Sequence, residues 1–294
     1  RTQVKAQVAD VYTPVAWPEV SLADWLRAEL PDGGIVGFDP WLHAVGQIEL
    51  LNTALKGSGI EMRRCENLVD RIWQDQPAPP MFPAKVHPLE FAGESHADKC
   101  ARLAEDLRKK GEAAAVITLP DSLCWLLNVR GADIARNPVV HGFVVLHASG
   151  AVDLFVAPEK VTDLADHLGD NVTVHEPDAL LGYLETLAGP IRLDKSTVPV
   201  AVVDAVGDRA SWGDDPCALP KACKNEAEVA GSAAAHLRDG AALVELLAWL
   251  DAQTPGTVSE TQVVAKLEAA RSRDNALQDI SFETIAGTGP NGAI

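Results

Sequence analysis

Short apolar runs alternate with stretches of helical spacing along the chain, and turn-forming residues punctuate them. Ser21 is placed to cap a helix reaching residue 30, because its hydroxyl can accept from the free amides of a first turn, and Pro31-Asp32-Gly33-Gly34 halts that helix. The run IVGFD (35–39) predicts a short buried strand, 42–55 a second helix, 60–64 a strand and 66–73 a further helix. The same grammar resumes at 96–110, where Leu103 and Leu107 share a helical face and Gly111 suits the left-handed residue that ends a helix. A strand at 113–119 follows, then a short helix over SLCWLLN with Asp121 as its cap. Residues 143–146 and 152–156 are two apolar runs separated by HASGA, a hairpin signal. Strands at 172–174 and 191–193 come next, and Pro199 falls in the first turn of a helix that Gly207 ends.

Two joints interrupt this alternation. Residues 76–88, QPAPPMFPAKVHP, hold five prolines, which remove backbone donors and favour an extended path, so this stretch is a linker. Residues 211–220, SWGDDPCALP, concentrate turn formers. Composition then changes. Residues 225–250 are Ala-rich with Val229, Leu237, Val244 and Leu247 on one apolar face, which predicts a long helix. Ser259 and Gln262 have capping-box spacing and open another helix to about Arg271. ISFETIA (280–286) is strand-like. The pattern as a whole is that of an α/β protein with more than one domain.

Composition narrows the function classes. With 47% hydrophobic and 23% charged residues over 294 positions, the chain has the means to bury a core. A formal net charge of -17 argues against nucleic-acid binding, which needs clustered Lys and Arg; the scattered acidic residues serve solubility first, and would favour a cationic partner. The five cysteines are odd in number and lack zinc-ligand or CxxC spacing, which fits reduced thiols. No apolar run approaches the roughly 20 residues that cross a bilayer, and no signal segment opens the chain, so no membrane association and a cytoplasmic setting are expected. A start at Arg1 and an end at Ile294 without a closing cap suggest a chain cut at both ends.

Local motifs carry little chemistry. Residues 287–292, GTGPNG, satisfy GxGxxG after a strand-like run, but Pro290 removes one of the amide donors a pyrophosphate needs, and no helix or acidic partner follows; a tight turn is the plainer reading. The eight histidines, His87, His96, His141, His147 and His236 among them, show no HExxH or Cys-linked ligand pattern. Asp121 and Asp133 flank Arg130, as a carboxylate pair with a guanidinium clamp would, although helix capping and a buried ion pair explain them more simply. Ser211 and Ser232 lack a neighbouring base. Cys223 lies between Lys221 and Lys224, the setting of an activated thiol, against the commoner reading of an incidental one.

Four strings carry more. ENLVDRIWQDQP (66–77), SLCWLLNVRGADIARNPV (122–139), PKACKNEAEVAG (220–231) and ISFETIAGTGPNGAI (280–294) resemble, in order, the three-domain cytosolic-type branch of the Xaa-Pro aminopeptidases (aminopeptidase P), within the creatinase and prolidase superfamily. The resemblance implies two creatinase-type mixed sheets flanked by helices, the first one partial, and then the opening helices and strand of a pita-bread α+β catalytic domain. It divides the chain into the rear of a first domain (1–76), the Pro-rich linker (77–88), a middle domain (89–218) and the incomplete start of the metallopeptidase domain (219–294). It also implies release of the first residue from peptides with proline second, bonds that general aminopeptidases handle poorly because the imide nitrogen lacks a hydrogen and proline fixes φ. The chemistry would use two divalent ions, usually manganese, which generate hydroxide and polarise the scissile carbonyl. Their ligands, two Asp, one His and two Glu, are expected after Ile294, so no catalytic or metal-ligating residue is assigned in this chain, which is expected to be inactive alone. A substrate-binding histidine is expected just beyond Ile294 and a substrate-binding arginine before Arg1. Within the chain, the substrate-binding candidates are Phe282, which would line the pocket for the amino-terminal side chain, and Asn291, expected in the strand leading to the site, with core packing and turn formation as the plainer readings. Xaa-Pro peptides and a homodimeric full-length protein are the implied partners. The alternatives are a non-catalytic creatinase-fold module binding basic proteins or peptides, and a related creatinase-type hydrolase or prolidase.

Overall fold

The computed structural model of the chain describes residues 2–273 and 276–292, so Arg1 and the last two residues of the fourth string, Ala293 and Ile294, lie outside it. Contacts divide the chain into two compact units, one of residues up to Pro79 together with Ala179–Asp215, the other of Pro80–Asp178 together with the residues from Pro216 onward. The stretch 179–215 thus groups by contact with the first segment.

The first unit is built on a strand-helix-strand crossover. Ser21 accepts from the Asp24 amide and caps the helix Leu22–Glu29, as its position predicts. Strands Gly34–Phe38 and Ile60–Arg64 pair in parallel with Gly34 opposite Ile60, and helix Val45–Ala54 joins them, since parallel neighbours need a long crossover. Ala23, Leu26 and Leu55 form its core with Val36 and Met62. A second parallel pair, Ile191–Leu193 with Ala210–Trp212, flanks helix Val200–Val206. Pro199 is the cap residue of that helix, one position earlier than expected. Phe38, Ile48 and Val200 pack together, while Arg64 holds Asp204 through two bonds of 2.5 and 2.6 Å.

The second unit carries a mixed sheet. Strand Ala114–Ile117 pairs antiparallel with Phe143–His147, which pairs antiparallel with Val152–Phe155, which pairs in parallel with Val172–His175. All four residues of Ala114–Ile117 are buried, which explains why that strand reads as an unbroken apolar run. Helix His96–Lys109 lays Leu103 and Leu107 against Ile117, Leu146 and Leu154, and Cys217 closes the same core. Gly111, at φ +70°, ends that helix as expected.

Several local expectations need correction. Asp121 is not a cap: Leu119 occupies that position and Pro120, with its preset φ and missing N–H, takes the first helical place of Pro120–Leu126, which leaves Asp121 in the first turn. The joint read at 211–220 does hold the boundary between the two units, at Asp215 and Pro216, between the strand Ala210–Trp212 and the short helix Ala218–Ala222. Residues 280–286 form no strand: a strand exists only as a ladder, and among the described residues no neighbour pairs with it.

The long helix Glu226–Asp251 and the helix Glu260–Arg271 form over the predicted residues, each with a complete capping box, Asn225 with Glu228 and Ser259 with Gln262, but the face expected to pack, Val229, Leu237, Val244 and Leu247, is exposed and the long helix buries Ala242 and Leu246. Asn225 does a second task. Its Nδ2 donates to the Ala92 carbonyl at 2.8 Å, joining the start of the long helix to the short helix Leu89–Ala92. Gly93, at φ +71°, makes room for it; a Cβ there would lie 2.4 Å from Asn225 Oδ1.

Gly93→Ala should therefore destabilise the protein by more than about 1 kcal/mol, and Asn225→Ala by about 1 kcal/mol for the lost cap. Because the alanine at 93 clashes with the side chain that Asn225→Ala removes, the double variant should cost less than the sum of the two, as read from urea midpoints.

Candidate functional site

The second unit is organised around a buried ammonium. Lys99, on helix His96–Lys109, is only 1% exposed. Its Nζ donates to the Trp125 carbonyl at 2.9 Å and to Asn128 Oδ1 at 2.8 Å, and sits 4.2 Å from the centre of the Trp125 ring. Asn128 adopts φ +51°, a conformation that asparagine tolerates better than most residues, and this aims its amide so that Nδ2 donates to the Glu94 carbonyl at 2.9 Å. The Asn128 carbonyl accepts from the His87 amide at 2.7 Å and so fixes the end of the Pro-rich stretch 76–88. Burial lowers the Lys99 pKa below its ordinary value, while the carboxylates of Glu228 and Glu94 oppose that shift. His87 beside it is pushed down to about 4, first by burial and then by the Arg130 and Lys99 charges.

Asp133 and Arg130 do not form the expected clamp. Arg130 donates to the carbonyls of Cys124 and Val129 and, largely desolvated, has its pKa lowered. Asp121 pairs with Lys221. Asp133 pairs instead with Lys160 at 2.7 Å, with side chains 0% and 5% exposed, and Asp133 also accepts from the His141 amide at 2.7 Å. Together with the bonds from the Gly131 amide to the Pro138 carbonyl and from the Asp133 amide to the Val139 carbonyl, this pair closes the loop 131–141 on itself. At its tip the Asn137 amide donates to the Ile134 carbonyl, and Arg136 stands at φ +62°.

Phe282 and Asn291 both lie on the irregular stretch after the helix Glu260–Arg271. Phe282 is 64% exposed and lines an open groove of about 980 Å³, between this stretch and the helix pair, together with Ala242, Leu267 and Ile280. Asn291 does not share that groove. It lies in the turn Gly289–Gly292, where its Nδ2 donates to both Glu260 oxygens at 3.2 Å, and the Thr288 amide donates to Glu260 at 2.7 Å. The GxGxxG stretch is thus a turn pinned by a carboxylate. Arg136 reaches the same stretch from the other side, 3.6 Å from Asp279 and 3.5 Å from Glu283.

The remaining candidates stay apart. Cys223 is exposed at the end of helix Ala218–Ala222. His236 contacts the Ser232 carbonyl within its own helix, and His96 contacts the His167 carbonyl. His147 and His175 share Asp153, each at 2.6 Å. Among the described residues no three His, Cys, Asp or Glu side chains gather so as to hold a metal ion. The described residues do not fit a dinuclear centre. Sequence reasoning missed Lys99, Lys160 and Glu260, whose partners are distant in the chain; only Asn128, in a residue type suited to left-handed backbone, left a local signal.

Comparison with known proteins follows this geometry. The Creatinase/Prolidase N-terminal domain family matches residues 75–228. The chain belongs to the creatinase/prolidase family. The adjoining residues 230–294 match Metallopeptidase family M24, so this creatinase/prolidase chain continues into the start of an M24 domain. It is a relative of the Xaa-Pro aminopeptidases P. It is 35% identical over 291 residues to the probable Xaa-Pro aminopeptidase P of Aspergillus clavatus, covering 92% of this chain and 44% of the relative. The probable enzyme of Laccaria bicolor is 38% identical over 284 residues, with coverage of 92% and 44%. The chain thus spans less than half the length of these curated relatives. Among solved structures, the X-prolyl aminopeptidase of Caenorhabditis elegans, a cytosolic enzyme with a di-nuclear active site, superimposes with a TM-score of 0.87 at 29% identity, over 97% of this chain and 49% of that one.

His87 gives this region a pH dependence. Its folded pKa of about 4 lies below the ordinary 6.5, so between these values the unfolded chain binds a proton that the folded one refuses. Stability from this group is present above pH 6.5 and falls as the pH drops toward 4. Urea unfolding at pH 7 and pH 4.5 should show a smaller loss for His87→Gln than for the natural chain.

Proposed function

We propose that the whole protein is a metal-dependent aminopeptidase that removes the N-terminal residue from peptides with proline in second position. The observation that carries this reading is the likeness to the Caenorhabditis elegans enzyme along 97% of the chain, through both the creatinase-type part and the start of the M24 part. The four strings at 66–77, 122–139, 220–231 and 280–294 point the same way.

In this reading the chain supplies scaffold and substrate-side surface. Residues 1–76 are the rear of a first domain, 77–88 a linker, 89–218 a middle domain and 219–294 the start of the catalytic domain. Phe282 meets the side chain of the first substrate residue, and Asn291 orders the turn leading to the reaction centre. The ions are two divalent metals, manganese by preference, held by residues of the whole protein's metallopeptidase domain. The working protein is a cytoplasmic homodimer. No helix among the described residues is long and apolar enough to cross a membrane.

Release of the first residue from Xaa-Pro tripeptides by the whole protein tests this directly. Activity should vanish with a chelator and return with Mn²⁺, and the 294-residue chain alone should show none. Cleavage of Xaa-Pro dipeptides in preference to tripeptides would make it a prolidase. No hydrolysis with any divalent ion would sink the enzyme reading and leave the non-catalytic module for basic peptides in its place.

A further inference from the structure

Residues 276–288 carry the candidate substrate-side residue Phe282 without any helix or strand of their own among the described residues. Such a segment is ordered only by what its side chains and amides touch. At its far end Glu260 accepts from Thr288 and Asn291. At its near end two carboxylates, Asp279 and Glu283, flank Phe282, and both face one guanidinium, that of Arg136.

Arg136 is held in an unusual way. Its φ of +62° belongs to the left-handed region, which costs a side-chain-bearing residue conformational energy and which glycine would occupy freely. The turn it tips is closed by the Asn137 amide on the Ile134 carbonyl, and the loop behind it is locked by the buried Asp133–Lys160 pair. An arginine sits where the backbone favours glycine, on a loop fastened to the core, and its planar head spans two acidic side chains of a segment that has no helix or strand of its own among the described residues. Turn formation alone does not account for that residue type.

We propose that Arg136 is a positioning residue: it reaches from the middle-domain loop to Asp279 and Glu283 and sets where Phe282 stands for the first residue of the substrate. The placing of Phe282 at the substrate rests on the aminopeptidase reading above; the bridge itself does not. Since the carboxylates are exposed, the effect is modest and sensitive to salt.

The test uses the whole protein with Arg136→Gly, which keeps the turn and removes the head group. The KM for Xaa-Pro tripeptides with a large first residue should rise about two- to fivefold at low salt with kcat nearly unchanged, the range expected of exposed ion pairs. Arg136→Lys, which retains one positive charge, should recover part of it, and high salt should erase the difference. In an Asp279→Asn, Glu283→Gln background, Arg136→Gly should add nothing. An unchanged KM, or an undiminished effect in that background, overturns the positioning role. Amide hydrogen exchange over 276–288 reads the bridge without catalysis: exchange should quicken in Arg136→Gly and slow again in Arg136→Lys. Unaltered exchange overturns the bridge even in a protein that cleaves no peptide, whereas quickened exchange without peptidase activity would mean that the functional reading alone has failed.

Discussion

The second unit depends on satisfying one ammonium group out of water. An unpaired charge at the Lys99 position would cost several kcal/mol, so its surroundings are arranged to receive it: a carbonyl at the end of one helix, a side-chain amide in a left-handed turn, and the face of an indole. Each of these acceptors fixes something else. The Trp125 carbonyl can face Lys99 because Pro120–Leu126 ends there. Asn128 ties down the Glu94 carbonyl and the His87 amide, so the linker enters the unit at a set place. From Glu94 the chain passes into the helix that bears Lys99, and immediately before it Gly93 admits Asn225, the cap of the long helix. Hydrogen bonds on either side of Gly93 therefore tie the Lys99 cluster to the cap of the long helix, which itself runs on into the M24-type residues.

The same logic recurs at a second buried charge. The Asp133–Lys160 pair has no exposed face to speak of and closes a loop that would otherwise lack regular support. What that loop carries outward is progressively more exposed, ending in Arg136 beside two solvent-facing carboxylates.

Much of the fold was legible because its signals are local. Ser21 and Ser259 with Gln262 announce helix starts from a few neighbouring residues, and the runs at 114–117 and 143–146 betray buried strands by apolar continuity. Pro120 misled the assignment of a cap because it displaced Asp121 by its own fixed φ. The strand expected at 280–286 has β-type residues but no ladder partner among those described, and composition does not supply one. The site was less legible still. Lys99 meets Asn128, and Asp133 meets Lys160, across separations that periodicity does not see; Arg130 looked like Asp133's partner only because it was near in sequence. Long strings shared with a family carried what spacing left out.

The central claim is that this chain contributes scaffold and substrate-side surface, while the metal centre is completed by other residues of the whole protein. Titration of Mn²⁺ into the metal-free 294-residue chain and into the metal-free whole protein, followed by calorimetry, addresses it most directly. The account predicts two tightly bound ions per whole protein and no stoichiometric site on the chain alone; two tight sites on the chain alone, or none on the whole protein, would contradict it.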